Sequence, residues 1–167
     1  AFPEEVSATS FLGLLREKTS LPFDLPTEAQ WEHACRAGTT TPFNDGVAAT
    51  DAGAYSARMD RLGVYEGNSG SKVDGKTVAA VRPVGGFQPN AWGLYDMHGN
   101  LAEWCLDPFE ETPVLLRTNR ARKAKETAKG AAGMVAVRGG AYNMAAEICR
   151  SASRSYVSAA AAVPHIG

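Results

Sequence analysis

Apolar residues near the N-terminus recur at helical spacing. Phe11, Leu14 and Leu15 occupy positions i, i+3 and i+4 within residues 6–17, so they fall on one face of a helix. Pro22 follows soon after, and proline disfavours helical backbone at the residue before it. The pattern therefore predicts a first helix over residues 6–17.

A second helix is predicted over residues 27–37, with clearer signals. Thr27 and Gln30 have the spacing of a capping box, in which each side chain bonds the backbone amide of the other residue. Trp31 and Cys35 lie four residues apart and share a face. We expect this helix to pack into the core and to carry no site.

Beyond the second helix the chain is rich in turn residues. Residues 39–89 contain clusters such as Asn44-Asp45-Gly46, which are typical of turns, and we expect mostly loop there. Residues 134–142 indicate a buried strand that runs into Gly139 and Gly140. Adjacent glycines let the backbone approach a neighbouring segment closely.

The stretch over residues 90–107 mixes large apolar side chains with amides and carboxylates. Its apolar side chains are Trp92, Leu94, Tyr95, Met97, Leu101 and Trp104. Their density predicts a largely buried, irregular segment, whose polar groups need partners because an unpaired buried one costs about 1–3 kcal/mol. Asp96, Asn100 and Glu103 offer the oxygen ligands that calcium prefers. Bonds to neighbouring amides would explain the same residues, and spacing alone favours that alternative.

Composition and charge limit the class of protein. The chain has 167 residues, of which 44% are hydrophobic and 21% charged, with 17 glycines and nine prolines; this fits one globular domain with many turns. The formal net charge of −1 gives no general attraction to nucleic acid or acidic membranes. No apolar run is long enough for a membrane span, and residues 1–20 show no signal peptide. The compartment stays open between the cytoplasm and display on a phage or cell surface.

Cysteine and histidine positions form no recognisable catalytic or metal spacing. Cys35, Cys105 and Cys149 lie far apart, with no CxxC or zinc pattern. We expect Cys35 and Cys105 to be small buried side chains. His98 lies within the apolar central stretch, so we expect a hydrogen-bonded core residue rather than a catalytic base.

Residues 110–133 differ from the rest of the chain. Six of the seventeen basic residues lie here: Arg117, Arg120, Arg122, Lys123, Lys125 and Lys129. Few apolar residues accompany them, which predicts an exposed insertion. A nucleic-acid contact is the alternative, but no aromatic residue interleaves with the basic ones, so the pattern does not favour it.

Three motifs, in order, resemble the formylglycine-generating enzyme (sulfatase-modifying factor) family. They are Leu25–Gly38, Gly93–Trp104, and Val137–Asn143 followed by Cys149–Arg154. The resemblance implies an α+β fold of the C-type lectin-like kind, with little regular secondary structure and two helices near the N-terminus. It further implies one domain over residues 1–167 that lacks an N-terminal segment usual in the family.

The resemblance also implies where enzymatic chemistry would lie. Family members oxidise a substrate cysteine with two cysteines that bind copper, four and nine residues after the second glycine of the Arg-Gly-Gly motif. Here those positions hold Met144 and Cys149. One thiolate with a neutral thioether is a weaker site for cuprous copper, so we expect no copper, no catalytic residues and no enzyme activity. A degenerate or specialised enzyme of the family is the alternative.

Several family members bind calcium through the central stretch. Carried over by position, the ligands would be the side chains of Asp96 and Glu103 and the carbonyls of Gly99 and Leu101. The resemblance thus implies one structural Ca²⁺ ion at most.

The C-terminal residues 141–167 resemble the variable region of diversity-generating retroelement proteins. Those elements substitute adenines, often in AAC asparagine codons, and such changes cannot produce Lys, Glu, Gln, Met or Trp. None of these five residue types occurs between Ile148 and Ile166. Cys149–Ala152 and Arg154 resemble a fixed framework between varied positions.

We therefore predict a non-enzymatic protein that binds an unidentified protein or surface ligand through a hypervariable surface on a rigid scaffold. Aromatic residues such as Tyr142 and Tyr156 would supply most of the contact energy. The predicted ligand-binding residues are Tyr142, Asn143, Met144, Ile148, Ser153, Ser155, Tyr156, Val157, Ser158, Ala159, Ala160, Ala161, Ala162 and His165.

Overall fold

The computed structural model describes residues 6–109, 133–161 and 163–167. Within these ranges the helices are α1 (Phe11–Thr19), α2 (Glu28–Arg36) and α3 (Ala52–Leu62). The strands are β1 (Gly70–Val73), β2 (Lys76–Ala79), β3 (Glu103–Pro108), β4 (Met134–Arg138) and β5 (Ser155–Ser158), with a 3-10 turn at Ala146–Cys149. The predicted α+β class is confirmed, with one helix more than expected.

Two predictions fall wholly or partly outside the described residues. Residues 110–132 of the predicted basic insertion are not among them, and neither is Ala162 of the predicted ligand-binding set. No helix in the described ranges is long and apolar enough to cross a membrane.

Helix α1 forms, but it begins later than the prediction of residue 6. The Ser10 hydroxyl accepts a hydrogen bond from the Gly13 amide at 3.1 Å, and this cap places the first helical turn at Phe11. No residue of α1 is buried, and Phe11 and Leu14 on its apolar face are 77% and 46% exposed. The helix is therefore held by its cap and local contacts rather than by the core.

Helix α2 forms as the sequence predicts. Thr27 and Gln30 make both bonds of the capping box, which satisfies amides that the first helical turn leaves unpaired. Trp31 and Cys35 are 2% and 0% exposed. The buried face of α2 packs against β3 and β4.

The prediction of mostly loop over residues 39–89 is wrong for two segments. Helix α3 is capped by the Asp51 side chain and buries Met59 and Leu62. Strands β1 and β2 form an antiparallel hairpin, whose turn at Asp74 and Gly75 has φ angles of 50° and 78°. An Asp-Gly pair adopts these positive φ angles readily and favours a tight hairpin.

Strand β4 is the central strand of a three-stranded antiparallel sheet in the order β3–β4–β5. The strand predicted over residues 134–142 is confirmed as far as Arg138. Beyond it, Gly139 and Gly140 turn the chain with φ angles of 91° and 71°, which glycine adopts without strain. Strand β5 lies at one edge of this sheet.

Three clusters of buried side chains form the core of the described residues. They are Phe43, Met59, Leu62, Tyr65, Ala146 and Cys149; then Trp31, Cys35, Met97, Cys105 and Ala136; and finally Ala102, Val137 and Ala141. All three cysteines are free and buried, which confirms the expectation for Cys35 and Cys105.

The central stretch is buried only in its second half. Residues 97–100 are buried, whereas Trp92, Leu94 and Tyr95 are 52%, 40% and 48% exposed. The prediction of a largely buried stretch is therefore wrong for residues 91–95. The Asn90 side chain accepts from the amides of Trp92 and Leu94, and this local turn carries the aromatic residues to the surface.

Candidate ligand-binding surface

The end of β4 carries a buried arginine that connects separate parts of the chain. The side chain of Arg138, only 1% exposed, donates to Glu28 at 2.8 Å and to Glu32 at 2.6 Å, both on α2. It also donates to the Ser151 carbonyl at 2.7 Å. Burial would raise the pKa of Glu32, but the bonds from Arg138 and Arg36 outweigh it and lower the pKa. Arg138 thus ties the segment before β5 to α2.

A second arginine reaches the same carboxylate from the start of β5. Arg154 donates through Nε to Glu28 Oε1 at 2.5 Å and through Nη2 to Glu28 Oε2 at 2.8 Å. Its guanidinium carbon lies 5.0 Å from the centre of the Phe109 ring, within the range of a cation–π contact. Glu28 therefore holds both arginines that flank residues 139–153.

Between these arginines the main chain is anchored as well. The Cys149 carbonyl accepts from the His98 ring at 2.7 Å, and the Ser151 amide donates to the Pro42 carbonyl at 2.9 Å. Cys149 and Ser151 are both 0% exposed. These two residues of the predicted fixed framework are thus part of the interior.

His98 is fully buried in its neutral form. Burial lowers the pKa of His98 to about 4, although the bond to the Cys149 carbonyl favours its protonated form. Nδ1 faces that carbonyl, and Nε2 lies 3.2 Å from the Asn44 amide nitrogen. A neutral ring with its proton on Nδ1 satisfies both partners. His98 is therefore the hydrogen-bonded core residue that the sequence predicts.

The predicted ligand-binding residues lie on the outer side of this framework. All that the structure describes are exposed or half-buried. The exposed ones are Asn143, Ile148, Tyr156, Ala159 and Ala160; the half-buried ones are Tyr142, Met144, Ser153, Ser155, Val157, Ser158, Ala161 and His165. Met144 and Val157 also pack against the core cluster around Ala102 and Val137, so these two positions support the fold as well.

One aromatic pair stands out on this surface. Tyr156 is 56% exposed, and its ring centre lies 4.5 Å from that of Phe109 at an interplanar angle of 37°. A fixed ring with one free face offers contact area at a small entropic cost. Tyr156 is therefore the best-placed aromatic anchor on β5.

Comparison with known proteins identifies this architecture. The family model of the sulfatase-modifying factor enzyme 1-like domain matches residues 3–167. The chain belongs to this family. Among curated members of the sulfatase-modifying factor family, the formylglycine-generating enzyme of Mycobacterium tuberculosis (strain ATCC 25618 / H37Rv) is 33% identical over 159 residues, which cover 86% of this chain and 48% of the enzyme. The chain thus spans about half the length of that relative.

Two solved structures of similar fold extend the comparison. Treponema denticola variable protein 1 matches with a TM-score of 0.64 and 27% identity, over 86% of this chain and 45% of that one. PvdO from Pseudomonas aeruginosa matches with a TM-score of 0.66 and 26% identity, over 89% of this chain and 52% of that one. The predicted family and fold are confirmed, and one neighbour carries the name of a variable protein.

The two copper positions of the sulfatase-modifying factor family lie in different surroundings here. Cys149 is sealed in the cluster around Phe43 and Met59, and burial raises the pKa of its thiol to about 12. Met144 packs against the other cluster, around Ala102. Among the described residues, no group of three or more histidine, cysteine or acidic side chains could hold a metal.

The predicted calcium ligands are partly brought together. Burial, and after it the nearby charge of Asp96, raises the pKa of Glu103, which accepts from the Trp31 ring at 2.7 Å. One oxygen of Asp96 accepts from the Gly85 amide at 2.6 Å, while its other oxygen is buried without a hydrogen-bond partner among the described residues. The Asp96 and Glu103 carboxylates are therefore close enough to interact electrostatically, and one Asp96 oxygen has no hydrogen-bond partner among the described residues.

Sequence reasoning missed the charged network around Glu28. A signal for it was present, because Glu28 and Glu32 lie one turn apart on the helix that also buries Trp31 and Cys35. Carboxylates beside a buried face need cationic partners. Which arginines supply them depends on long-range packing, since Arg138 lies 110 positions from Glu28.

Proposed function

We propose that this chain is a non-enzymatic ligand-binding domain that displays a varied C-terminal surface on a rigid scaffold, as the variable protein of a diversity-generating retroelement. Its ligand would be a protein or a surface-exposed molecule of another cell or phage. Support comes from the similarity to Treponema denticola variable protein 1, at a TM-score of 0.64.

One observation carries the proposal. Cys149 and Ser151 of the fixed framework are 0% exposed, whereas the described positions of the varied set are exposed or half-buried. A region under random adenine substitution can keep its fold only if the varied side chains are not needed in the core. Cys149 and Ser151 meet that condition, whereas Ala152 of the framework is exposed, and Met144 and Val157 of the varied set still pack against the core.

Two codon-randomised libraries test the proposal. One places adenine-randomised AAC codons at Tyr156, Ser158, Ala159 and Ala160, and the control places the same codons at Cys149, Arg150, Ser151 and Arg154. Displayed on yeast, the first library should remain protease-resistant in most clones and yield binders to lysozyme, chosen as an arbitrary protein target. The control library should lose resistance in most clones. Equal losses in both libraries would contradict the proposal.

The gene itself provides an independent test. The codons of residues 148–166 should be adenine-derived relatives of AAC, and a near-copy template should lie beside a reverse transcriptase gene. Ordinary codon usage without such a template would remove the retroelement part of the proposal and leave a conventional binding domain.

The competing function is enzymatic, because the Mycobacterium tuberculosis relative bears the name of an enzyme. With Met144 in one copper position and a sealed Cys149 thiol of raised pKa in the other, we expect no oxygen consumption when cuprous copper and a cysteine-containing peptide are added. Oxygen uptake that depends on Cys149, shown by its loss in Cys149→Ser, would establish the enzymatic alternative instead.

We also propose that one structural calcium ion binds at Asp96 and Glu103, with the carbonyls of Gly99 and Leu101. A bound ion would offset the repulsion between the two carboxylates and partner the buried Asp96 oxygen. At a calcium concentration of about 100 times Kd, binding would stabilise the fold by roughly 2.7 kcal/mol.

Calorimetry on chelator-treated protein tests the calcium proposal. We expect binding heat and a higher Tm on adding calcium, both reduced in Asp96→Asn. Asp74→Asn is the matched control, because Asp74 shares the left-handed backbone of Asp96, with φ of 50° against 55°. No heat and no change in Tm would remove the site.

A further inference from the structure

The outer edge of β5 presents backbone groups that the sheet does not use. Strand β5 pairs only with β4 in the described part of the chain, with Val157 opposite Val135 and Ser155 opposite Val137. Just beyond the strand, the Ala159 amide donates to the Gly133 carbonyl at 2.7 Å. This bond shows which residues of β5 point their backbone groups toward β4 and which point them away.

Hydrogen-bonded and non-hydrogen-bonded pairs alternate along an antiparallel ladder. Because Ala159 bonds toward β4, Val157 and Ser155 do so as well, and Tyr156 and Ser158 do not. The backbone amide and carbonyl of Tyr156 and the amide of Ser158 therefore point away from β4.

The pairing of β4 with β3 leads to the same assignment of inward and outward groups. Met134 stands opposite Ser158 in the register, and its carbonyl accepts from the Phe109 amide at 3.0 Å. Met134 therefore bonds toward β3, so its opposite residue, Ser158, bonds outward. The Ser158 carbonyl is used locally by the Ala161 amide at 2.9 Å, which leaves three outward groups on the edge.

Nothing within residues 155–158 blocks this edge. The four residues contain no proline, no charged side chain and no bulge against β4, so of the usual devices that protect an edge strand only its short length applies within them. The side chains of Ser155, Val157 and Ser158 are small. The larger Tyr156 side chain lies against Phe109.

We propose that an extended segment of a ligand polypeptide adds to β5 as a further strand of the sheet. The inference rests on the proposed function and gives the ligand a chemical class. Main-chain bonds would supply affinity in every variant that keeps proline out of the strand, while the varied side chains would choose the sequence of the segment. A second copy of this chain would set the same varied residues against each other and hide them, so the occupant is a different polypeptide.

Hydrogen exchange of the backbone amides gives the first test on the full chain. In the free protein, the amides of Tyr156 and Ser158 should exchange fast, whereas those of Val157 and Ala159 should be protected. A peptide from a phage library of random linear sequences, selected on the immobilised chain, should slow exchange at Tyr156 and Ser158 by more than about tenfold. Protection elsewhere without these two amides would overturn the proposal.

N-methylation of the selected peptide gives a second test that does not alter the protein. Each methyl group that removes an amide donor to β5 should weaken binding about 5- to 10-fold, and the loss should recur at every second position. A uniform or absent effect of N-methylation, or a library that yields no binding peptide, would contradict strand addition.

The same measurements separate this inference from the proposed function. If Tyr156→Ser and Ala159→Ser change which peptides bind but Tyr156 and Ser158 amides stay unprotected, the varied surface stands and strand addition fails. If those amides are protected while both substitutions leave peptide choice unchanged, strand addition stands and the varied surface fails. Protection that grows with protein concentration alone would show pairing between copies and overturn the inference.

Discussion

The two parts of residues 138–166 are held to the domain by different kinds of bond. From Arg138 to Arg154, charged side chains on both flanks meet Glu28, and Cys149 and Ser151 between them are buried. From Ser155 onward, strand β5 is attached mainly by main-chain pairing to β4.

This difference would allow one segment to keep a fixed framework while other positions vary, as the proposed function requires. A bond made by a guanidinium or a buried carbonyl partner needs one residue type or one backbone path. A main-chain ladder accepts any residue except proline, because every other residue keeps its amide donor. Substitution should therefore be costly at Arg138, Cys149 and Ser151, and cheap at Tyr156 and Ser158, whose side chains do not pack in the core clusters.

Removal of Arg138 should have the largest effect on the comparison. Arg138→Met leaves Glu28 and Glu32 without their most buried partner. Breaking a buried ion pair costs about 3–5 kcal/mol when the remaining charge is unpaired, and because Glu28 keeps Arg154 and Glu32 keeps Arg36, we expect a loss of about 3 kcal/mol. Urea denaturation should show a loss of this size. The partly exposed Arg154, at 17%, is the matched control for burial, and Arg154→Met should cost clearly less. Equal losses would show that the deeper burial of Arg138 adds nothing, and negligible losses in both variants would contradict the comparison.

Acidification should weaken the framework through His98. Its folded pKa of about 4 lies below the ordinary 6.5, so the unfolded chain binds the extra proton. The associated stability is fully present above pH 6.5 and is lost as the pH falls toward 4, by about 3 kcal/mol. Urea denaturation at pH 7 and pH 4.5 measures this loss.

The variant His98→Gln isolates the histidine contribution. It should be less stable at pH 7 because it disturbs the bonds to Asn44 and Cys149, but its stability should change less between the two pH values. Glu103, whose pKa is raised by burial, acts in the opposite direction and cancels in the difference between the two proteins. An unchanged pH dependence in His98→Gln would contradict the assignment.

Local signals in the sequence were enough for some elements and not for others. The capping box at Thr27 and the strand before Gly139 depend on neighbouring residues, and both are confirmed. Helix α3 was missed although Asp51 caps it, since glycine, serine and alanine around it resemble a loop. Trp92 was expected in the core because it is hydrophobic. Hydrophobicity, however, gives no information about where the turn at Asn90 directs the chain.

The candidate surface was predictable only in outline. The codon argument covered residues 148–166 only, and the candidate positions that the structure describes there are exposed or half-buried. It could not show that Glu28 joins both arginines, or which amides of β5 face outward. Those features depend on contacts between residues more than 100 positions apart and on strand register.

Glycine substitutions probe the close packing beneath the framework. In Gly140→Ala, the new Cβ would lie 2.6 Å from the Cys149 sulfur, at a φ of 71°, so strain and overlap together should cost at least about 2 kcal/mol. Gly85→Ala shares the positive φ, at 77°, but has nothing within 4 Å. Gly85→Ala should therefore show only the cost of backbone strain. The difference in stability loss between the two variants, measured by thermal denaturation, gives the cost of the overlap with Cys149.

Substitutions on β5 should have the smallest effect. Tyr156→Ser removes the contact with Phe109 but keeps the ladder, so it should cost about 1 kcal/mol or less. Ser158→Ala should be nearly neutral, within about 0.5 kcal/mol. Val157→Ser is the matched control on the same strand, because Val157 packs against the core cluster around Val137 and should cost more than either. If Tyr156→Ser unfolded the domain while Val157→Ser did not, the outward face of β5 would be the one that holds the fold, and a varied surface could not lie there.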